Sequence, residues 1–322
     1  MKTSIVIISY NEKDYLRNAF NSCLEQGLDD FEVVIADDGS TDGSIEIIKE
    51  LHASYPNIVK FYIADRGHID FLIPSIRCSN LLKKAFKMCE GDFIEAMSAD
   101  DIFYDKNKTK KQLSFLMKHP KYMSCYCDFN KYYEDTGLTT RSLNPRFVSR
   151  KMLWARYYVH VSCFLFRREC LNNLLDNFCD DTGLLYSLLI SGKCKHLPFI
   201  GFQYKQRQNS IMSSSSEMKL NILEVLLLQD LLNFKSKQYL NSSKCRLYKP
   251  LEYCFNNADQ IENKEKYLQL FEDNSLLKAV FYKDESALKI IKDYKAKRSA
   301  NSFPFFCSRM LNKVAKLFRG NK

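Results

Sequence analysis

Mostly apolar runs, rather than strictly alternating ones, mark the strands in the first third of this chain. "TSIVIISY" (3–10), "FEVVIA" (31–36), Val59–Ala64 and Phe93–Met97 are apolar on both faces, as strands buried on both sides of a parallel sheet are. Between them the period changes. Asn11 is placed to cap a helix whose apolar positions Leu16, Ala19, Phe20, Cys23 and Leu24 keep helical spacing until Gly27 stops it. Further helices are predicted near Ser44–Ser54 and Ser79–Cys89. Strands alternating with helices of this length predict an α/β sheet covered on both faces.

Past residue 104 the rhythm loosens. Asp105 is placed to cap a helix that ends near His119-Pro120, and "YMSCYCDFNKYY" (122–133) predicts a longer strand. "YVHVSCFLF" (158–166) and "KHLPFIGFQY" (195–204) predict two more strands, with a short helix near Thr182–Ser191 between them. Beyond the serine run Ser213–Ser216 the pattern becomes helical, as in "MKLNILEVLLLQDLLNF" (218–234). The serine run is the expected boundary between a catalytic region and a helical appendix.

Composition narrows the class. With 322 residues, 46% of them hydrophobic, the chain can bury a substantial core. The opening apolar run is too short for a signal-peptide core, and no stretch approaches the roughly 18 uncharged apolar residues of a membrane span; the expectation is a protein made and kept inside the cell. Twelve cysteines occur without a C-x-x-C pair, and Cys125 with Cys127 would share one face of a strand, so they read as reduced, buried side chains rather than zinc ligands. The net charge is +10, but from Ile291 to Lys322 nine Lys or Arg face a single Asp. The preceding 290 residues therefore carry only +2, with no basic, aromatic-interleaved face of the kind that binds nucleic acid.

Two of the apolar strands end in paired carboxylates, in "DDGSTDGS" (37–44) and in "ADD" (99–101). An isolated Asp-Asp pair is most often a turn. Two strands of one sheet ending this way are harder to assign to turns, because ligands of open parallel sheets bind outside the carboxyl ends of the strands. Asp38-Gly39-Ser40 makes a polar loop able to accept hydrogen bonds from a base or ribose, while Asp42 or Ser44 caps the next helix. No glycine-rich dinucleotide fingerprint follows the first strand, and no G-x-x-x-x-G-K loop occurs.

Taken in order, "SIVIISYNEKDYLRNAFNSCLEQGLDDFEVVIADDGSTDGS", "GDFIEAMSADD" and "CDDTGLLYSLLISGKCKHLPFIGFQYKQRQNS" resemble the family 2 glycosyltransferases of GT-A fold, over residues 1–212. The resemblance implies a Rossmann-like mixed α/β sheet with helices on both faces, a donor half over about 1–105 and an acceptor half over about 106–212; the helical region at 217–300 follows from the pattern beyond the serine run. It implies a nucleotide-sugar donor, usually UDP-linked, a Mg²⁺ or Mn²⁺ ion, and inverting transfer to an acceptor hydroxyl. Departure of the diphosphate develops negative charge, which a hard cation held by carboxylate oxygens can neutralise. By match to the family, Asp100 and Asp101 are the expected metal ligands, and Ser9, Tyr10, Asp38, Arg77 and Asp100 the expected donor contacts.

Inversion also needs a base for the acceptor proton. The family's "ED" pair is matched by Asp180 and Asp181, with Asp181 the expected base. Two positions depart from the pattern. Ser98 stands where many members carry the first Asp of D-x-D, and Arg207 stands where many carry a His; a guanidinium there suits bidentate phosphate contact. His160 is expected to be structural. The competing reading is a non-catalytic nucleotide-sugar-binding or scaffold protein on the same fold, suggested by Ser98 and the missing His. A sugar nucleotidyltransferase is disfavoured because its G-x-G-x-R loop is absent.

The last segment, 302–320, places Cys307, Met310, Leu311, Val314, Leu317 and Phe318 on one helical face and Arg309, Asn312, Lys313, Lys316 and Arg319 elsewhere. A basic amphipathic helix of this kind lies in an anionic membrane surface. The expectation is a peripheral protein of the inner face of the cell membrane, acting on a glycan or lipid-linked acceptor, with self-association left open. Deletion of residues 302–322 should move the protein from the membrane pellet to the supernatant on sedimentation; undiminished sedimentation would overturn the membrane role of the tail.

Overall fold

The computed structural model describes residues 1–66, 73–148, 159–174, 181–207, 217–233, 237–262, 264–271 and 273–300. The four apolar runs form β1 (Thr3–Ser9), β2 (Phe31–Asp37), β3 (Val59–Ile63) and β4 (Phe93–Ser98). The helices between them are α1 (Lys13–Leu24), α2 (Ser44–Ser54) and α3 (Pro74–Met88). They are followed by β5 (Ile102–Phe103), α4 (Lys108–Lys118), β6 (Tyr122–Tyr133), β7 (Thr139–Ser142), β8 (Phe164–Arg167), α5 (Asp181–Ser191) and β9 (Lys193–Gln206). The strand order is β3-β2-β1-β4-β8-β6-β9-β5, with β7 paired to β6. β1 to β4 are mutually parallel where they pair; β8 then runs antiparallel to both β4 and β6. This is the mixed α/β sheet expected. Nearly every residue of β1 and β2 is buried, so both faces of the parallel half are covered.

Register decides what the sheet presents at its carboxyl edge. Ser9 pairs with Asp37 across β1 and β2, and Ile8 pairs with Ser98 across β1 and β4. The loops carrying Tyr10, Asp38 and Asp100-Asp101 therefore leave the sheet at one level. β5 is only two residues long, yet its antiparallel pairing of Ile102 with Gln203 and Phe103 with Phe202 brings the end of β9 alongside the Asp100-Asp101 turn.

Three local expectations are corrected. Asn11 does not cap α1: it sits at φ +55°, and its side-chain oxygen accepts from the Thr41 amide at 2.9 Å, so the cap position falls to Glu12, which makes no side-chain cap bond. Asp105 is not the cap of α4; Asn107 is, and the Asp105 carboxylate instead accepts from the Asn107 amide at 2.8 Å in the turn before it. The strand expected over 158–166 begins only at Phe164, after a 3-10 turn over Val161–Cys163. There the amide of Val161 donates to Asp181 and that of Ser162 to His160, which takes both out of the sheet ladder.

A buried polar cluster lies under the Asp100-Asp101 turn. Lys108 Nζ donates to Glu95 Oε2 at 2.6 Å with both side chains fully buried, and Thr109 Oγ1 donates to Glu95 Oε1 at 2.7 Å. The Lys108 ammonium also lies 4.4 Å from the Phe103 ring centre. Ser22 accepts from the Phe103 amide, and Gln26 joins the Asp105 carbonyl to the Thr109 amide. The cluster thereby ties α1, β4, β5 and α4 together.

The described residues fall into two compact units, the second beginning after the serine run, which itself lies outside the described residues. This second unit is helical: α6 (Glu217–Asn233), α7 (Lys237–Asn257), α8 (Lys264–Leu270), α9 (Ser275–Phe281) and α10 (Glu285–Ala300). Ile222, Val225 and Leu228 of α6, Leu247, Leu251 and Cys254 of α7, and Leu277, Val280 and Phe281 of α9 are buried, each set at helical spacing. Gln229 and Asn274 exchange side-chain hydrogen bonds at 3.2 and 2.9 Å. Among the described residues no helix is long and apolar enough to cross a membrane. The amphipathic segment 302–320 lies outside the described residues.

Glu95→Ala strands the Lys108 ammonium in the core, and breaking a buried pair from one side costs about 3–5 kcal/mol. Urea unfolding should register a loss of that size, and the double variant Glu95→Ala/Lys108→Met should lose less than the single one. A near-neutral Glu95→Ala would show that the pair does not anchor this turn.

Candidate functional site

The first two strand-to-helix loops are zipped together before any ligand arrives. The Asn11 amide donates to Ser40 Oγ at 2.8 Å, Glu12 to Ser44 Oγ at 2.9 Å, and Lys13 to Asp42 Oδ2 at 3.0 Å. Asp37, fully buried, accepts from both the amide and the hydroxyl of Ser40 at 2.7 and 2.6 Å. Gly39 takes φ +73°, a conformation that favours glycine, and α2 starts behind Gly43 with Asp42 Oδ1 accepting from the Ser44 amide at 2.9 Å. Of the first two carboxylates, Asp37 thus shapes the loop, and Asp38 is left to face other groups.

Asp38 is held by Arg77 of α3. The guanidinium Nε lies 2.8 and 2.9 Å from the two Asp38 oxygens, with a second contact from Nη2. Arg77 is 4% exposed, so it is a buried partner that orients Asp38 rather than a solvated residue opening the helix. Tyr10 remains 39% exposed, with the Arg66 guanidinium 4.0 Å above its ring. Ser9 closes β1, and its buried hydroxyl oxygen has no partner among the described residues.

The second carboxylate pair divides its roles. Asp100 Oδ2 accepts from Arg207 at 2.7 Å, and the same Arg207 nitrogen donates to Glu12. Arg207 sits beyond the end of β9, with its guanidinium 5.0 Å from the Tyr15 ring and Lys205 Nζ 3.9 Å from it. Asp101 is 1% exposed; its Oδ1 accepts from the Lys205 amide at 2.8 Å, and its Oδ2 is buried with no partner. Burial first, and the Asp100 charge next, push the Asp101 carboxyl well above the ordinary carboxylate range. Burial pushes Glu12 up to about 7 against the opposing bond from Arg207.

Asp181 opens α5, and its Oδ1 accepts from the Val161 amide at 2.5 Å. Burial pushes its carboxyl up to about 6, against that hydrogen bond. It stands close enough to Asp101 for its charge to act there. Asp180 lies outside the described residues. Beside the Asp181 anchor, His160 packs against Phe129, Phe202 and Tyr204 with ring centres 5.0 to 5.7 Å apart, and burial pushes it down to about 4, against the pull of Asp100. It is neutral at ordinary pH, in keeping with the structural role expected.

A divalent ion takes several oxygen ligands. Here Ser98 offers a hydroxyl in place of a carboxylate, Asp100 Oδ2 is engaged by Arg207, and Asp100 Oδ1 and the buried Asp101 Oδ2 accept no hydrogen bond from the described residues. No group of three or more His, Cys, Asp or Glu suited to holding a metal occurs among the described residues. The set expected to hold the ion is thus poorer in negative charge than two carboxylates in D-x-D spacing, with a hydroxyl at position 98 and a guanidinium shared with Asp100. Glu12, Tyr15, Arg66 and Lys205 were not expected at the site. Glu12 and Tyr15 lie in the same "SYNEKDY" run as Tyr10, but nothing local in that run points to a partner near residue 207.

Residues 4–175, more than half of the chain, match the family described as Glycosyl transferase family 2. TuaG of Bacillus subtilis, named for teichuronic acid biosynthesis, is 30% identical over 129 residues, covering 40% of this chain and 46% of that protein. The chain spans about half the length of the curated relatives it matches. The crystal structure of S. aureus TarS 1-349 in complex with UDP-GlcNAc superposes with a TM-score of 0.58 at 17% identity, covering 93% of this chain and 91% of that one. The mannosyltransferase PcManGT from Pyrobaculum calidifontis, solved with GDP-Man and Mn²⁺, gives a TM-score of 0.51 at 14% identity over 93% of this chain and 87% of that one. At these identities the likeness establishes a shared fold.

A Cβ at position 39 would stand 2.7 Å from Arg66 Cγ and 2.9 Å from the Ala64 carbonyl oxygen. Gly39→Ala should cost about 1–2 kcal/mol for the left-handed backbone, measured by urea unfolding. Unchanged stability would show that this loop adopts another backbone freely.

Proposed function

Because the chain belongs to glycosyltransferase family 2, we propose that it is an inverting glycosyltransferase that moves a hexosyl or N-acetylhexosaminyl unit from a UDP-sugar to an acceptor hydroxyl. The acceptor we propose is a bacterial-type surface polysaccharide or glycolipid presented at the inner face of the cell membrane. Teichuronic acid biosynthesis in the name of TuaG and the UDP-GlcNAc bound by TarS support this choice of acceptor and donor classes. The exposed Tyr10 ring and the Asp38 carboxylate would receive the base and ribose, and Arg207 would meet the diphosphate.

The observation that carries the reading is Asp181. It is a carboxylate fixed on a backbone amide at the start of a helix, beside the strand-end carboxylates, and raised to about 6 by burial. In this position it would accept the acceptor hydroxyl's proton as that oxygen bonds to C1. The C1–O bond to the diphosphate breaks with its electron pair staying on the phosphate oxygen, so the sugar inverts and a nucleoside diphosphate leaves. A base near 6 is a carboxylate through neutral pH and strong enough to share a proton in the transition state.

Since the base works deprotonated and its value is raised, kcat should fall as pH drops through about 6. Asp181→Asn should lower kcat by roughly 10²–10⁴-fold and remove that acid limb, while UDP binding measured by calorimetry stays at the parental value. Transfer at the parental rate by Asp181→Asn would place the base elsewhere. Parental UDP binding with no turnover of any acceptor, in the unmodified chain, would favour the binding-module reading instead.

A further inference from the structure

The two departures from the family pattern meet in space. Ser98 closes β4 where a carboxylate is expected, and Arg207, where a His is expected, reaches Asp100, two residues beyond that serine. The donor set has lost a negative group and gained a permanent cation at the same spot. Arg207 is also built in rather than loosely placed. Its Nη2 bridges Asp100 and Glu12, its guanidinium lies by the Tyr15 ring, and Lys205, two residues earlier in β9, fixes Asp101 through its amide. No described residue accepts from its Nε or Nη1, which leaves N–H groups for a bidentate phosphate contact.

We propose that the Arg207 guanidinium takes the place of a divalent cation at the donor diphosphate, with Glu12 as the residue that positions it. This rests on the proposed donor class. When the C1–O bond breaks, the electron pair stays on the β-phosphate oxygen and the fixed guanidinium neutralises it; no proton moves to or from Arg207. A preorganised cation aimed at developing charge performs electrostatically what a metal clamp performs. It needs no carboxylate at position 98, because a guanidinium is held by two acceptors, here Glu12 and Asp100, and would be over-neutralised by a third. Ser98 and Arg207 are thus two halves of one compensation.

The test is calorimetry of UDP binding to the full chain at constant ionic strength, in EDTA and in Mn²⁺, alongside single-turnover donor hydrolysis. The unmodified protein should bind UDP in EDTA within about threefold of its affinity in Mn²⁺. Arg207→Met should lose about tenfold or more in EDTA, the size of a charge-assisted contact, and Arg207→Lys should recover part of it. Ser98→Asp/Arg207→His should bind UDP with Mn²⁺ and lose it in EDTA. Circular dichroism melts of each variant separate lost binding from lost fold, and the EDTA comparison on the unmodified protein needs no variant. A tenfold or larger loss of UDP affinity by the unmodified protein in EDTA would overturn the inference while leaving the transferase reading in place. Absence of binding to UDP, GDP and other nucleoside diphosphates in both conditions would overturn the donor class and the inference with it.

Discussion

In-register parallel pairing of β1 with β2 and β4 is the constraint from which the site follows. Each strand is a short apolar run that can be buried on both faces, and the ladder aligns Ser9 with Asp37 and Ile8 with Ser98. A slip by one residue would turn every side chain to the opposite face, and it would also offset the loops that carry Tyr10, Asp38 and Asp100. The core therefore enforces the level at which the polar loops emerge. The loops then lock to each other through Asn11, Glu12 and Lys13 on one side and Ser40, Asp42 and Ser44 on the other.

Buried charge is the second organising theme. Charges taken out of water are tolerated when a partner compensates them, and most here have one: Glu95 with Lys108, Asp38 with Arg77, Asp100 with Arg207. Asp101 and Asp181 are different. Each has a single backbone amide as its hydrogen-bond donor and no ion pair with a described residue, and burial raises both, at Asp101 against the more distant pull of Arg207. Carboxylates held in that state are the ones poised to exchange a proton or meet an incoming group. The contrast between paired and unpaired carboxylates separates the scaffold of the site from its chemistry.

Much of this was legible along the chain. The runs at 3–10, 31–36 and 93–97 became β1, β2 and β4 because strands this apolar on both faces are placed in the middle of a covered sheet, with Glu32 and Glu95 buried against cationic partners. Asp38, Asp100 and Asp101 were visible because two strands of one sheet ending in paired carboxylates is unusual enough to notice, and Asp181 through the resemblance of its segment to the family's acidic pair. Other features failed for local reasons. Asn11 has the chemistry of a cap, but its side chain was taken by Thr41 thirty residues away. The apolar run through Val161 looked extended, but two of its amides were claimed by side chains.

Apolar periodicity and short polar motifs act through neighbours a few residues apart, so strand identity, helix spacing, the carboxylate-ended loops and the local charge of the tail could all be read from residue order. Partnerships that close over long separations could not. Arg77 and Asp38 are 39 positions apart, Asp181 and Val161 20, and Arg207 and Asp100 107. Which carboxylate is neutralised, which is raised and which guanidinium stands where a metal was expected depend on desolvation and on distances of a few ångströms, and those exist only once the sheet has closed.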